Sequence, residues 1–166
     1  MGPRQSYQDV ASATRRVRPL DPADIPDILS IELTGYSHPW SEALFRDCFR
    51  PDYRLWGLAD EDTLQGYAVV AYLFDEAHLL NLCVGSQWRG SGAGRLLLRH
   101  LIRESFRENM CRVLLEVRRS NDVAIGLYKT EGFVQIGERP GYYPASPTRE
   151  DALVLALEGP GAAEWG

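Results

Sequence analysis

The sequence predicts one α/β domain built on a mixed, mostly antiparallel sheet with helices on both faces. Three observations lead there. The chain has 166 residues, the size of a single domain with its own core. Segments rich in β-formers are joined by short acidic turns, Asp60-Glu61-Asp62 and Asp75-Glu76, and short turns join antiparallel neighbours. From Ala77 to Val117 the order is strand, glycine-rich loop, long helix, strand, which predicts a central right-handed parallel crossover.

Each element has its own reason. Residues 1–14 are polar and aperiodic and read as a loose tail; the domain runs over 15–158, and 159–166 (GPGAAEWG) read as a frayed end. A first strand covers Arg16 to Leu20. Asp21-Pro22 opens a helix through Leu33, with Pro in its first turn and Ile25, Ile28, Leu29, Glu32 and Leu33 on a mostly apolar face. Ser41 caps a second helix that carries Leu44, Phe45, Cys48 and Phe49. Strands follow at Tyr53 to Ala59, Leu64 to Phe74 and Ala77 to Val84. The long helix, from Ala93 to Asn109, has Leu96, Leu97, Leu101, Ile102 and Phe106 on one side. Cys111 to Val117 reads as a buried strand. Asn121-Asp122 caps a helix that stops at Gly132, and strands at Phe133 to Gly137 and Ala152 to Leu157 close the domain.

Composition narrows the function. Apolar residues at 45% and charged residues at 25% exclude wholesale disorder. Eighteen Lys and Arg against 23 Asp and Glu give a net charge of −5, unsuited to neutralising phosphates and suited to a basic partner. No apolar run approaches the ~20 residues that cross a bilayer. Cys48, Cys83 and Cys111 lack C-x-x-C spacing and sit in apolar stretches, as free buried thiols in a reducing compartment do. His38, His78 and His100 are scattered without metal-site spacing, so no metal is expected. No signal-peptide pattern opens the chain. A cytoplasmic protein is expected, with a monomer favoured and the oligomeric state open.

The strongest local signal is Arg89-Gly90-Ser91-Gly92-Ala93-Gly94-Arg95, between a strand and a helix. Closely spaced glycines let the backbone turn tightly, and free N–H groups at a helix start form an anion nest that suits a pyrophosphate. Arg89 and Arg95 would add charge. The Walker A pattern fails because no Lys follows, and the dinucleotide-binding pattern fails on glycine spacing. A glycine-rich turn without a ligand is the plain alternative. The pattern [Q/R]-x-x-G-x-[G/A] does fit, as Arg89 to Gly94.

That pattern resembles the coenzyme A pyrophosphate loop of the GNAT superfamily of N-acetyltransferases. From about Arg16 to Leu157 the chain is similar to its RimI-type members, the ribosomal-protein-alanine N-acetyltransferases. The blocks that carry the resemblance include His38-Pro39-Trp40-Ser41-Glu42, Asp75-Glu76-Ala77, Asn81-Leu82-Cys83-Val84, Leu115-Glu116-Val117-Arg118, Ser120-Asn121, Leu127-Tyr128, Glu131-Gly132-Phe133 and Tyr142-Tyr143-Pro144. Gly85-Ser86 stands where the family usually shows Asp-Pro, and Gly141 where Asn is usual.

The resemblance implies acetyl-CoA as co-substrate and direct attack by an amine in a ternary complex. The implied acceptor is the N-terminal alanine of a small-subunit ribosomal protein, with a basic N-terminal peptide. Another amine (a lysine side chain, a polyamine, an antibiotic) and a non-catalytic CoA-binding module are the alternatives. Glu116, by itself either a strand-end surface group or a site residue, becomes the proton acceptor, since only a neutral amine attacks a thioester. Tyr128, by itself a core aromatic, becomes the proton donor to the departing thiolate. Leu82, Cys83 and Val84 become the strand that pairs with the pantetheine arm and polarises the carbonyl. Asn121 becomes a coenzyme contact as well as a cap. Cys83 as a covalent nucleophile is the lesser reading, since no base lies near it in sequence. Trp40, Asp75, Glu76, Tyr142 and Tyr143 are the implied substrate side.

Overall fold

The computed structural model describes residues 14–145 and 148–160. The sequence tails at 1–13 and 161–166 lie outside the described residues. Seven strands form one sheet in the order β1-β2-β3-β4-β5-β7-β6. The elements are β1 (Arg15–Pro19), α1 (Ile25–Gly35), α2 (Glu42–Asp47), β2 (Tyr53–Asp60), β3 (Thr63–Leu73), β4 (Glu76–Val84), α3 (Ala93–Arg107), β5 (Arg112–Arg118), α4 (Asp122–Thr130), β6 (Val134–Tyr143) and β7 (Glu150–Glu158). Only β4 and β5 pair in parallel; every other neighbouring pair is antiparallel. This is the sheet that the segment order predicts.

Strand alternation divides the core in two. On one face, Tyr67 and Val69 of β3 pack with Ile28 and Ile31 of α1 and with Phe45 of α2. On the other, Ala68 and Val70 pack with Leu98 and Leu101 of α3 and with Tyr128 of α4. Each large apolar side chain so buried contributes about 1.5–3 kcal/mol. Caps set the helix starts where the sequence signals them: Ser41 Oγ accepts from Leu44 N–H at 3.2 Å, and Asn121 Oδ1 from Ala124 N–H at 3.2 Å.

The structure corrects several local expectations. Asp21 caps a short 3₁₀ turn, Pro22–Asp24, and the α-helix proper begins at Ile25. Leu33 and Leu96 are exposed, while Ile31 and Leu98 take the buried positions on their helices. Cys111 is exposed, since it precedes β5 rather than lying in it; Cys48 and Cys83 are buried. β6 runs on through Tyr143, past the Gly137 at which the expected strand ends, so Tyr142 and Tyr143 lie at its end. Gly159 is buried and its N–H donates to Cys111 O at 2.8 Å, which ties down the first residue of the expected C-terminal tail. Thr14, placed in the other tail, donates to Asp60 Oδ1 at 2.5 Å. Among the described residues no helix is long and apolar enough to cross a membrane.

Candidate active site where the parallel strands part

β4 and β5 pair only over Glu76–Leu79 and Arg112–Leu115. Both strands continue, β4 to Val84 and β5 to Arg118, without pairing to each other. The cause is visible in the register. Successive β3 residues Val69 and Val70 pair with Asn81 and Leu79, so Leu80 is an extra residue, a β-bulge. A bulge bends its strand and increases the local twist. It also resets the alternation: Leu79 joins the α3/α4 core, whereas Cys83 joins the α1/α2 core.

A cleft of about 550 Å³ occupies the gap. Its walls come from Glu32, Tyr36, His38 and Trp40 on one side, Leu80, Asn81 and Leu82 along β4, and Glu116, Asn121, Tyr128 and Tyr143 opposite. Of the sequence-implied site residues, the structure thus brings together Trp40, Leu82, Glu116, Asn121, Tyr128 and Tyr143. Glu116 Oε1 accepts from Arg139 Nη1 at 2.8 Å. Tyr128 is 7% exposed, and burial, then the nearby Tyr143, raises its phenol pKa well above the usual value. Tyr142 stands one layer back, with its ring 4.9 Å from that of Tyr143 and the Arg139 guanidinium 4.1 Å above it.

The glycine-rich loop lies beyond the C-terminal end of β4. Gly90 and Gly92 adopt φ of +76° and +84°. Only glycine takes such angles without cost, and a Cβ at either would meet nothing within 4 Å. The space above them is therefore open. The first helical bond of α3 runs from Leu96 N–H to Gly92 O at 3.0 Å, so the amides of Ala93, Gly94 and Arg95 precede the helical ladder. Such a helix start accepts an anion. Arg15 braces the loop from β1, with Nη2 donating to Ser91 Oγ at 2.9 Å.

Both loop arginines have partners within the protein. Arg89 donates to Val84 O at 3.3 Å and Thr34 O at 2.8 Å, which ties the loop to β4 and to the end of α1. Arg95 pairs with Glu131 and donates to Thr130 Oγ1 at 3.0 Å, which ties α3 to α4.

Asp75 and Glu76 are corrected outright. They stand at the start of β4, and the cleft is at its other end, about 16 Å away at ~3.3 Å per residue from Glu76 to Asn81. Glu76 pairs with Arg112 instead. Cys83 is buried with its Sγ 3.6 Å from Ile31 O, and burial pushes its thiol up to about 12. A protonated, enclosed thiol is no nucleophile.

Sequence reasoning missed Arg139, Tyr36, Tyr67 and the setting of Glu32. Tyr36 Oη donates to Leu82 O at 2.8 Å. Glu32 is 1% exposed and accepts from Tyr67 Oη and from Asn81 Nδ2. One signal for it existed: an acid set among Ile25, Ile28 and Leu29 on an apolar helix face.

Comparison with known proteins bears on this geometry. Residues 24–133 match the model of the acetyltransferase (GNAT) family. The chain is 36% identical over 138 residues to the [ribosomal protein bS18]-alanine N-acetyltransferase of Escherichia coli K12, covering 83% of this chain and 93% of that one. It is 30% identical over 141 residues to a putative enzyme of the same name from Bacillus subtilis, covering 84% and 92%. The crystal structure of the Escherichia coli ribosomal-protein-S18-alanine N-acetyltransferase superposes with a TM-score of 0.83 at 35% identity, covering 87% of this chain and 93% of that one. Ard1 from Thermoplasma volcanium follows at 0.76 and 28%, covering 87% and 97%.

Proposed function

The chain belongs to the GNAT acetyltransferase family, and on that premise we propose that it transfers the acetyl group of acetyl-CoA to the N-terminal alanine of a small-subunit ribosomal protein. The observation that carries the reading is the cleft itself. It opens where β4 and β5 part, with a carboxylate and a buried phenol among its walls and a glycine-rich anion nest beyond the end of β4.

In this reading the pyrophosphate rests on the amides of the Gly92 to Arg95 turn, and the pantetheine arm runs along Leu82 to Val84. Backbone N–H groups there polarise the thioester carbonyl. The α-amine nitrogen attacks that carbonyl carbon, and the C–N bond forms as the C–S bond breaks. Glu116 takes the proton that the amine sheds, directly or through water. The electron pair leaves with sulfur as coenzyme A thiolate. Tyr128, whose raised pKa keeps its proton in place, donates a hydrogen bond to that sulfur and shares its proton with the departing thiolate, which completes its protonation from solvent. Trp40 and Tyr143 flank the peptide end. The net charge of −5 favours approach of a basic peptide, an attraction that weakens with salt.

Thiol release from acetyl-CoA tests the reading. Release is expected with a peptide that offers a free N-terminal alanine followed by basic residues. No release with that peptide or any other amine would reduce the protein to a CoA-binding module.

A further inference from the structure

Glu32 is the only charged side chain among the buried described residues. Three donors from three parts of the chain converge on it. Tyr67 Oη comes from β3, Asn81 Nδ2 from β4 at 2.9 Å, and the Trp40 backbone N–H from the segment between α1 and α2 at 3.2 Å. A buried carboxylate is costly to keep, since the desolvation of its charge must be offset by the hydrogen bonds made to it. Its neighbours Ile28 and Ile31 in α1 are core residues, so the carboxylate interrupts an apolar face. The carboxylate does what an apolar residue cannot: it fixes three donors relative to one another.

What it fixes is a wall of the cleft. The segment from Tyr36 to Trp40 lines the gap opposite Glu116 and Tyr128. It is tied at both ends to the part of β4 beyond the bulge. Tyr36 Oη donates to Leu82 O, and the Trp40 N–H reaches Asn81 through Glu32. The Trp40 ring sits 5.3 Å from Phe45, which sits 5.7 Å from Tyr67, so the same frame is closed by packing. A wall held this way has little freedom to retreat from a larger substrate.

We propose that Glu32 is a positioning residue: by holding the wall from Tyr36 to Trp40 against β4 it limits the side chain of the substrate's first residue and favours a small one. The inference rests on the reading above that a peptide α-amine is the acceptor. It adds the origin of selectivity at the first position.

The test compares two peptides that differ only in alanine or leucine at position one, with the wild type, Glu32→Leu and Glu32→Gln. The ratio of the two kcat/KM values cancels any loss of folded enzyme. Glu32→Leu removes all three ties. Glu32→Gln has one acceptor oxygen where the carboxylate has two, so one side of the junction loses its partner. The wild type is expected to prefer alanine, and the preference is expected to fall about tenfold in Glu32→Leu, the lower end of what a pocket's fit to methylene-sized differences is worth. A smaller fall is expected in Glu32→Gln. Acetyl-CoA affinity should stay within about twofold, because the pyrophosphate nest is untouched. An unchanged ratio in Glu32→Leu, with only a lower melting temperature, would make Glu32 a stability residue and overturn the proposal. If Glu32→Leu does not fold, an unchanged ratio in Glu32→Gln overturns it equally. A wild type that acetylates neither peptide overturns the functional reading itself, a result distinct from an unchanged ratio.

Discussion

Arg139 of β6 reaches across β7 to donate to Glu116 Oε1 on β5 at 2.8 Å. The guanidinium is itself seated over the Tyr142 ring. One carboxylate oxygen is thereby held, and the side chain is oriented along the cleft wall. In the proposed role of base, Glu116 should be sensitive at two levels. Glu116→Gln is expected to lower turnover by about 10²-fold or more, with a deficit that shrinks at high pH as the amine loses its proton to solvent. Arg139→Gln is expected to lower turnover less, since the carboxylate remains but is no longer oriented. Neither should alter acetyl-CoA affinity, which calorimetry measures. Full activity of Glu116→Gln at pH 7 would return the residue to a surface role.

Tyr128 is buried and its ring packs edge-on against Phe133, with centroids 5.7 Å apart, a contact that a phenylalanine keeps. Tyr128→Phe therefore should keep stability nearly unchanged while turnover falls. Because burial raises its pKa above the ordinary value of about 10, the phenol stays protonated across the working range. The pH–rate profile should show no alkaline downturn from this group below about pH 10. A Phe variant as active as the wild type would leave the residue as core alone.

Gly92 sits at φ +84° with open space around its Cα. A Cβ there meets no protein atom within 4 Å, so the cost of an alanine is backbone strain, about 1–2 kcal/mol for a left-handed residue. Gly92→Ala is expected to fold and to bind acetyl-CoA more weakly. Gly92→Glu should bind far more weakly, because it adds a negative charge at the nest. Unchanged affinity in a folded Gly92→Glu, by calorimetry, would remove the pyrophosphate from this loop.

Much of this was legible in residues alone. The helix starts at Ser41 and Asn121 follow from side chains that cap, and the central parallel pair follows from the spacing between Ala77 and Val117. What failed did so for physical reasons. Asp75 and Glu76 abut β4 in sequence, but a strand has two ends, and the cleft is at the other. That Arg89 and Arg95 also brace the frame was not legible, because long side chains reach backbone and carboxylate partners several elements away. The bulge at Leu80 left no composition signal, and without it the alternation along β4 points Asn81 and Cys83 to the wrong face. Arg139 joins the site because β6 pairs with β7 and β7 in turn pairs with β5, and no local pattern encodes that second, longer-range pairing.

Acetyl transfer to the α-amine is tested most directly by one peptide that carries two competing amines, a free N-terminal alanine and an internal lysine, in a basic sequence. The α-amine has a reference pKa of about 8 and lysine about 10.4, so at neutral pH far more of the α-amine is in the form that attacks. After incubation with acetyl-CoA, fragmentation mass spectrometry locates the added acetyl group. Acetyl on the alanine nitrogen, with the lysine free, is the predicted result. Acetyl on the lysine, with the N-terminus untouched, would contradict the account.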